Sequence, residues 1–149
     1  MVTYNSIVRD IRDFFNNHRQ VHQFLHITQW DEEAKENVYV TAMLVPQQSN
    51  INNTQIDLNF NLFVIDLLNS DRSNQRDVFD DTLGIIQDFI SYFSDDPCTD
   101  WDITPTMTVQ PVTEKFVDDI ISGWVLNFTV TIPFSRSVCD IPLENPIKL

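Results

Sequence analysis

Between Trp124 and Ile132 the chain alternates without a break, and that alternation limits what it can become. Trp124, Leu126, Phe128, Val130 and Ile132 fall on one side of an extended backbone; Val125, Asn127, Thr129 and Thr131 fall on the other. Successive strand side chains point to opposite faces, so a period of two predicts a strand buried on one face and wetter on the other. No catalytic group lies within the run. The surrounding tract, residues 114–142, leaves through Pro133 and Phe134 and ends in Cys139, Asp140, Ile141 and Pro142. It reads as a strand passing into an extended arm, which is material for a sheet and an interface.

Elsewhere the period switches between two and three-to-four. Tyr4, Ile7, Val8, Ile11, Phe14 and Phe15 predict an amphipathic helix over residues 3–19, with Arg9, Asp10, Arg12 and Asp13 on its other side. Strands are expected over 24–30 and 38–45, joined by an acidic turn at 31–37, with Pro46 ending the second. The polar, Asn-rich residues 47–55 read as a long hairpin tip, because alternation resumes at once: Ile56, Leu58, Phe60 and Leu62 against Asp57, Asn59 and Asn61. After a loop at 69–74, Phe79, Leu83, Ile86, Ile90 and Phe93 mark a second helix over 77–93. Asp77, Asp80 and Asp81 near its start complement the helix dipole. An acidic loop at 94–105, a short strand at 106–110 resuming after Pro111, and the strand over 124–134 complete the chain.

These elements predict an α+β fold: a mainly antiparallel sheet of about five strands with two helices on one face. The order is helix-strand-strand-strand-helix-strand-strand. Residues 1–140 are expected to form a single domain and residues 141–149 an extended arm. A chain of 149 residues with 42% hydrophobic side chains, eleven of them Phe, can fill one core. A mean hydropathy of −0.18 and no long apolar run argue against a membrane span. The opening residues lack the basic-then-apolar layout of a signal peptide, so synthesis in the cytoplasm is expected.

Glycine narrows the function classes. There are only two, Gly84 and Gly123, too few for a P-loop, a dinucleotide-binding fingerprint or a nucleophile elbow. Charge narrows them further. Residues 1–70 hold eight acids and four bases, net −4; residues 71–149 hold fourteen acids and five bases, net −9; together −13. Such a surface repels phosphates and anionic membranes, so nonspecific nucleic-acid binding is disfavoured. Cys98 and Cys139 match no metal or redox spacing, and free, mostly buried thiols are expected.

Candidate chemistry is sparse. His18, His22 and His26 recur every four residues, a ligand spacing only if one helix carries all three; the helix is expected to end near His18 and His26 lies in a strand pattern. Asp95, Asp96, Asp100 and Asp102 make an oxygen-rich loop without the EF-hand spacing or its glycine. No catalytic residue, cofactor or metal ligand is assigned, and the expectation is a non-enzyme. The candidate subunit interface is the hairpin tip (Gln47, Asn50, Asn53), the loop tryptophan Trp101, and the apolar positions Ile141, Leu143, Ile147 and Leu149 of the arm. Trp101 belongs there because an aromatic in a polar loop is not readily explained as core.

The strand at 57–68, the helix at 76–93, the tract at 114–134 and the Cys-Asp-Ile-Pro ending at 139–142 together resemble small ring-forming virion proteins of tailed bacteriophages. The nearest groups are tail terminator or tail-completion proteins and the ring proteins of crAss-like phages. The resemblance covers most of residues 57–142 and is one of layout, with no catalytic motif. It implies an α+β subunit in a closed homo-oligomeric ring, hexameric in terminators or dodecameric in a neck, placed in the virion between portal and tail. Other neck and tail proteins are the implied partners, and DNA passes through the lumen without specific binding. A rival reading is an acidic DNA mimic that blocks a basic nuclease site; a third is a small hydrolase using a carboxylate pair.

Overall fold

The computed structural model describes residues 2–26, 38–95, 101–116, 119–134, 139 and 141–144. The chain order is α1 (Tyr4–Asn17), β1 (Gln23–His26), β2 (Thr41–Pro46), β3 (Asn50–Ile51), β4 (Gln55–Leu67), α2 (Gln75–Asp95), β5 (Thr108–Phe116) and β6 (Asp119–Pro133). The strands form one six-stranded sheet ordered β1-β2-β4-β6-β5, with β3 also paired to β4. This is the expected α+β class. All pairings are antiparallel except β1 with β2, which is parallel. The expected strand at 27–30 and the turn at 31–37 lie outside the described residues.

Helix α1 starts where the sequence supplies a cap. The Thr3 hydroxyl accepts from the Ser6 N–H at 3.1 Å, and the Ser6 hydroxyl accepts from the Thr3 N–H at 2.9 Å. This reciprocal pair satisfies two amide donors that a helix start otherwise leaves unmade. The helix ends at His18, which is extended, and buries Ile7, Val8, Ile11 and Phe15. Helix α2 buries Val78, Thr82, Ile85, Ile86, Phe89 and Phe93, with Phe79, Leu83 and Ile90 at the half-exposed margin. The expected stripe is therefore rotated by about one residue. Thr82 is tolerated inside because its hydroxyl donates to the Val78 carbonyl at 2.6 Å.

Both helices lie on one face, as expected. Phe15 of α1 stacks on Phe89 of α2 at 5.6 Å between ring centroids. Phe89 meets Phe128 of β6 at 5.2 Å, and Phe128 stacks on Phe60 of β4 at 5.4 Å. Aromatic pairs of this kind add attraction beyond the area they bury. The even-numbered residues of β4 and β6 supply this inner face. The odd-numbered ones form a polar row on the other: Thr131 donates to Asp57 (2.8 Å), Thr129 to Asn59 (3.3 Å) and Asn127 to Asn61 (3.0 Å). The alternation that opens the sequence reading thus becomes a greasy face and a hydrogen-bonded face.

Three expectations need correction. First, β2 does end at Pro46, but the chain does not leave the sheet for a long tip: Pro46 pairs with Phe60 and Asn50 with Asp57, so residues 47–49 oppose only residues 58–59. That mismatch is a bulge, closed by Gln47 N–H to Asn59 O (2.8 Å) and Asn59 N–H to the Ser49 hydroxyl (2.9 Å). The hairpin tip shrinks to residues 52–54, where the Asn52 side-chain oxygen accepts from the amides of Thr54 (2.8 Å) and Gln55 (2.9 Å). Second, β5 runs unbroken through Pro111 as an edge strand, where a missing N–H facing away from the sheet costs no ladder bond. Third, β6 starts at Asp119, five residues before the alternating run.

Gly84 sits inside α2 with open space where a Cβ would stand. Alanine loses less backbone entropy there than glycine does. Gly84→Ala is expected to raise stability by about 0.5–1 kcal/mol in chemical denaturation.

Candidate assembly surface

The titratable groups singled out by sequence do not converge. His18 caps α1 and its Nε2 lies 2.8 Å from an Asp88 carboxylate oxygen on α2. His26 is in β1, 2.7 Å from the Tyr4 hydroxyl, and His22 is exposed between these elements. The helix ends before the second histidine, so the four-residue spacing never becomes a shared face. Among the described residues no group of three or more His, Cys, Asp or Glu is placed to hold a metal. Asp102 is exposed, and Asp96 and Asp100 lie outside the described residues. An open hollow of about 620 Å³ lies at the start of α2, lined by Arg72, Gln75 and Arg76 among others. On its approach, hydrogen bonds from the Ser73 amide and then its side chain hold the Asp71 carboxyl below its ordinary range.

Tyr39 is the most perturbed of the groups whose shift is resolved. Its hydroxyl donates to Asp119 at 3.2 Å. Burial pushes its pKa up to about 12, helped by the negative charges of Asp119 and Asp66. The folded state therefore holds this proton more tightly than the unfolded chain, whose tyrosine titrates near pH ~10. The associated stability is present below about pH 10 and is lost as pH climbs toward 12. An ultraviolet titration is expected to show Tyr39 ionising late, and Tyr39→Phe to remove that late step.

Charge is distributed unevenly among the elements. Strands β2, β3, β4 and β6 together carry only Asp57, Asp66 and Asp119. Helix α2 carries five Asp against one Arg, net −4. Asp77, Asp80, Asp81 and Asp88 are exposed. At ~100° per residue, Asp77, Asp81 and Asp88 fall within about 40° of one another, an acidic stripe that flanks the buried face about 110° from its centre. Asp57, Asp66 and Asp119 give the strands a net −3, Glu114 and Lys115 of β5 cancelling; α1 is neutral, so the helical charge is concentrated on α2. Among the described residues no helix is long and apolar enough to cross a membrane.

The proposed interface residues fall in different places. Gln47, Asn50 and Asn53 are exposed along the bulge, β3 and the tip. Ile141 and Leu143 are 45% and 53% exposed; Ile147 and Leu149 lie outside the described residues. Trp101 is a correction. It is 4% exposed, stacks on Phe93 at 4.7 Å, and donates its indole N–H to Asp10 at 3.0 Å. An indole in a polar loop is here folded back into the core, with Asp10 of α1 taking its polar end. Cys139 is a free thiol, as expected, but exposed rather than buried.

Two residues escaped the sequence reading: Ile51, 65% exposed, and Phe134, 43% exposed. Both sit at the tip end of the sheet, where the Phe134 N–H bonds the Thr54 carbonyl at 3.1 Å. The signal that would have found them is charge: no side chain from residue 38 to 56, or from 120 to 135, is charged. In comparisons with known proteins, no family model matches this sequence and no curated protein matches it significantly.

Proposed function

We propose that the protein is a structural, non-enzymatic subunit of a closed homo-oligomeric ring at the neck or tail junction of a phage particle. In that role six or twelve copies would join the portal side to the tail and leave a channel for DNA. The observation that carries this reading is the inner face at the tip end of the sheet, which bears exposed apolar residues and no charge (Asp57 is on the other face), on a chain of net charge −13. Like-charged copies associate most readily where each is neutral and greasy. The acidic stripe of α2 suits the channel, since a negative lining repels DNA and lets it slide. Native mass spectrometry together with electron microscopy of the purified protein tests the reading, with rings of a single closed copy number as the expected result. A lumen lined by Lys and Arg would remove the sliding mechanism.

The same stripe favours a second reading. Asp77, Asp81 and Asp88 present a row of carboxylates along one helix, as a DNA mimic requires to engage a basic nuclease cleft. A stable monomer that inhibits a nuclease, and loses inhibition in an Asp77→Asn, Asp81→Asn, Asp88→Asn variant, would favour it over the ring.

A further inference from the structure

The apolar pattern of the sheet becomes exposed toward its tip. Strands β4 and β6 stay paired from Leu67 with Ile121 to Gln55 with Pro133. Along the inner face toward that last pair, exposure climbs: Phe60 and Phe128 are at 0%, Ile132 at 8%, Phe134 at 43% and Ile51 at 65%. Ile51 pairs with Ile56, and Ile56 with Ile132, so three isoleucines stand side by side across β3, β4 and β6. Phe134 follows Ile132 with the same parity. Neighbouring strands are ~4.8 Å apart, so the row is about 10 Å wide. Ile132 and Ile56 still pack against the core, while Ile51 and Phe134, which continue the pattern, are exposed.

The chain carries a second uncovered apolar element. Ile141 and Leu143 flank Pro142, held in a tight turn by the Leu143 N–H bonding the Ile141 carbonyl at 2.9 Å. Both remain exposed, so neither of these two side chains is packed on the strip of its own chain. Strip and arm are each greasy and each left open.

Charge says what covers them. The strip lies within the uncharged segments 38–56 and 120–135. Residues 141–149 hold one acid, Glu144, and one base, Lys148, so their side chains sum to zero. The net charge of −13 opposes association of two copies elsewhere. A partner of the same sequence can approach this end without bringing charge against charge, and it brings an apolar arm with it. We infer that Ile141 and Leu143 of one copy dock on the Ile51, Ile56 and Phe134 strip of a second copy. This contact rests on the assembly reading above. Passed on in one direction it closes a ring; exchanged between two copies it closes a dimer.

The test mixes two differently tagged full-length variants, Ile51→Cys and Leu143→Cys, each with Cys98→Ser and Cys139→Ser, and adds a short bis-maleimide. A cross-link between the two tags is expected, at least tenfold above a control in which Val109→Cys on β5 replaces Ile51→Cys. In parallel, Leu143→Glu in the native chain is expected to weaken self-association at least tenfold while leaving the monomer's melting temperature unchanged. A cross-link in a closed ring supports both the contact and the ring. A cross-link in a closed dimer keeps the contact and overturns the ring. A ring without the cross-link, or one that Leu143→Glu leaves intact, overturns the contact alone. Neither cross-link nor association overturns both.

Discussion

Gly123→Ala is expected to cost the fold more than about 3 kcal/mol, or to prevent stable folding altogether. The reason is backbone, not side-chain, crowding. Gly123 pairs with Ile65 of β4 and Val112 of β5, and it is buried. A Cβ at this position would overlap the Val64 carbonyl oxygen and stand 2.9 Å from the Ile65 Cα. Neither atom is the end of a flexible side chain, so relief requires two central strands to separate. Those strands carry the longest pairing in the sheet, thirteen residues on each side. Guanidinium denaturation of Gly123→Ala beside Gly84→Ala isolates the effect, because the same chemical change is expected to stabilise the helix and break the sheet.

Phe89→Ala is expected to lower stability by about 3–5 kcal/mol. Phe89 is completely buried and joins all three parts of the core. Its ring meets Phe14 (5.9 Å) and Phe15 (5.6 Å) of α1, Phe93 of its own helix (5.0 Å) and Phe128 of β6 (5.2 Å). Truncation leaves a cavity between layers that cannot collapse without moving a helix. By contrast, Phe134→Ser removes an aromatic ring that is 43% exposed at the sheet's end. It is expected to change monomer stability by about 0.5 kcal/mol or less and to weaken association instead. The two phenylalanines therefore separate folding from assembly in one denaturation series paired with native mass measurements.

Much of the fold was legible because alternation survives into packing. The even-numbered residues from 124 to 132 do face the helices, and Asn127, Thr129 and Thr131 do face away, bonded to the matching positions of β4. The glycine-poor composition was equally readable. The errors came where local signals were overruled by tertiary partners. Pro46 does end β2, but Pro111, read as a break, lies inside the edge strand β5, where its missing donor is tolerated. The polar residues 47–55 read as one long tip, because nothing local shows that Asn50 and Ile51 re-engage β4. Trp101 read as exposed because its neighbours are polar; Asp10, ninety-one residues away, takes its indole N–H. The apolar strip was hidden for the opposite reason. Ile51 looks like an isolated hydrophobe in a polar tip, and only the pairing with Ile56 and Ile132 makes it part of a surface.

The run from Trp124 to Ile132 thus ends in the feature on which the functional account turns: its inner face leads to the exposed apolar residues Ile51 and Phe134. The most direct measurement is the native mass of the full-length protein across a concentration series, with particle shape by negative-stain electron microscopy. The account predicts closed rings of one fixed copy number, lost on deletion of residues 141–149. A monomer at every concentration, in solution and in isolated particles, would contradict it.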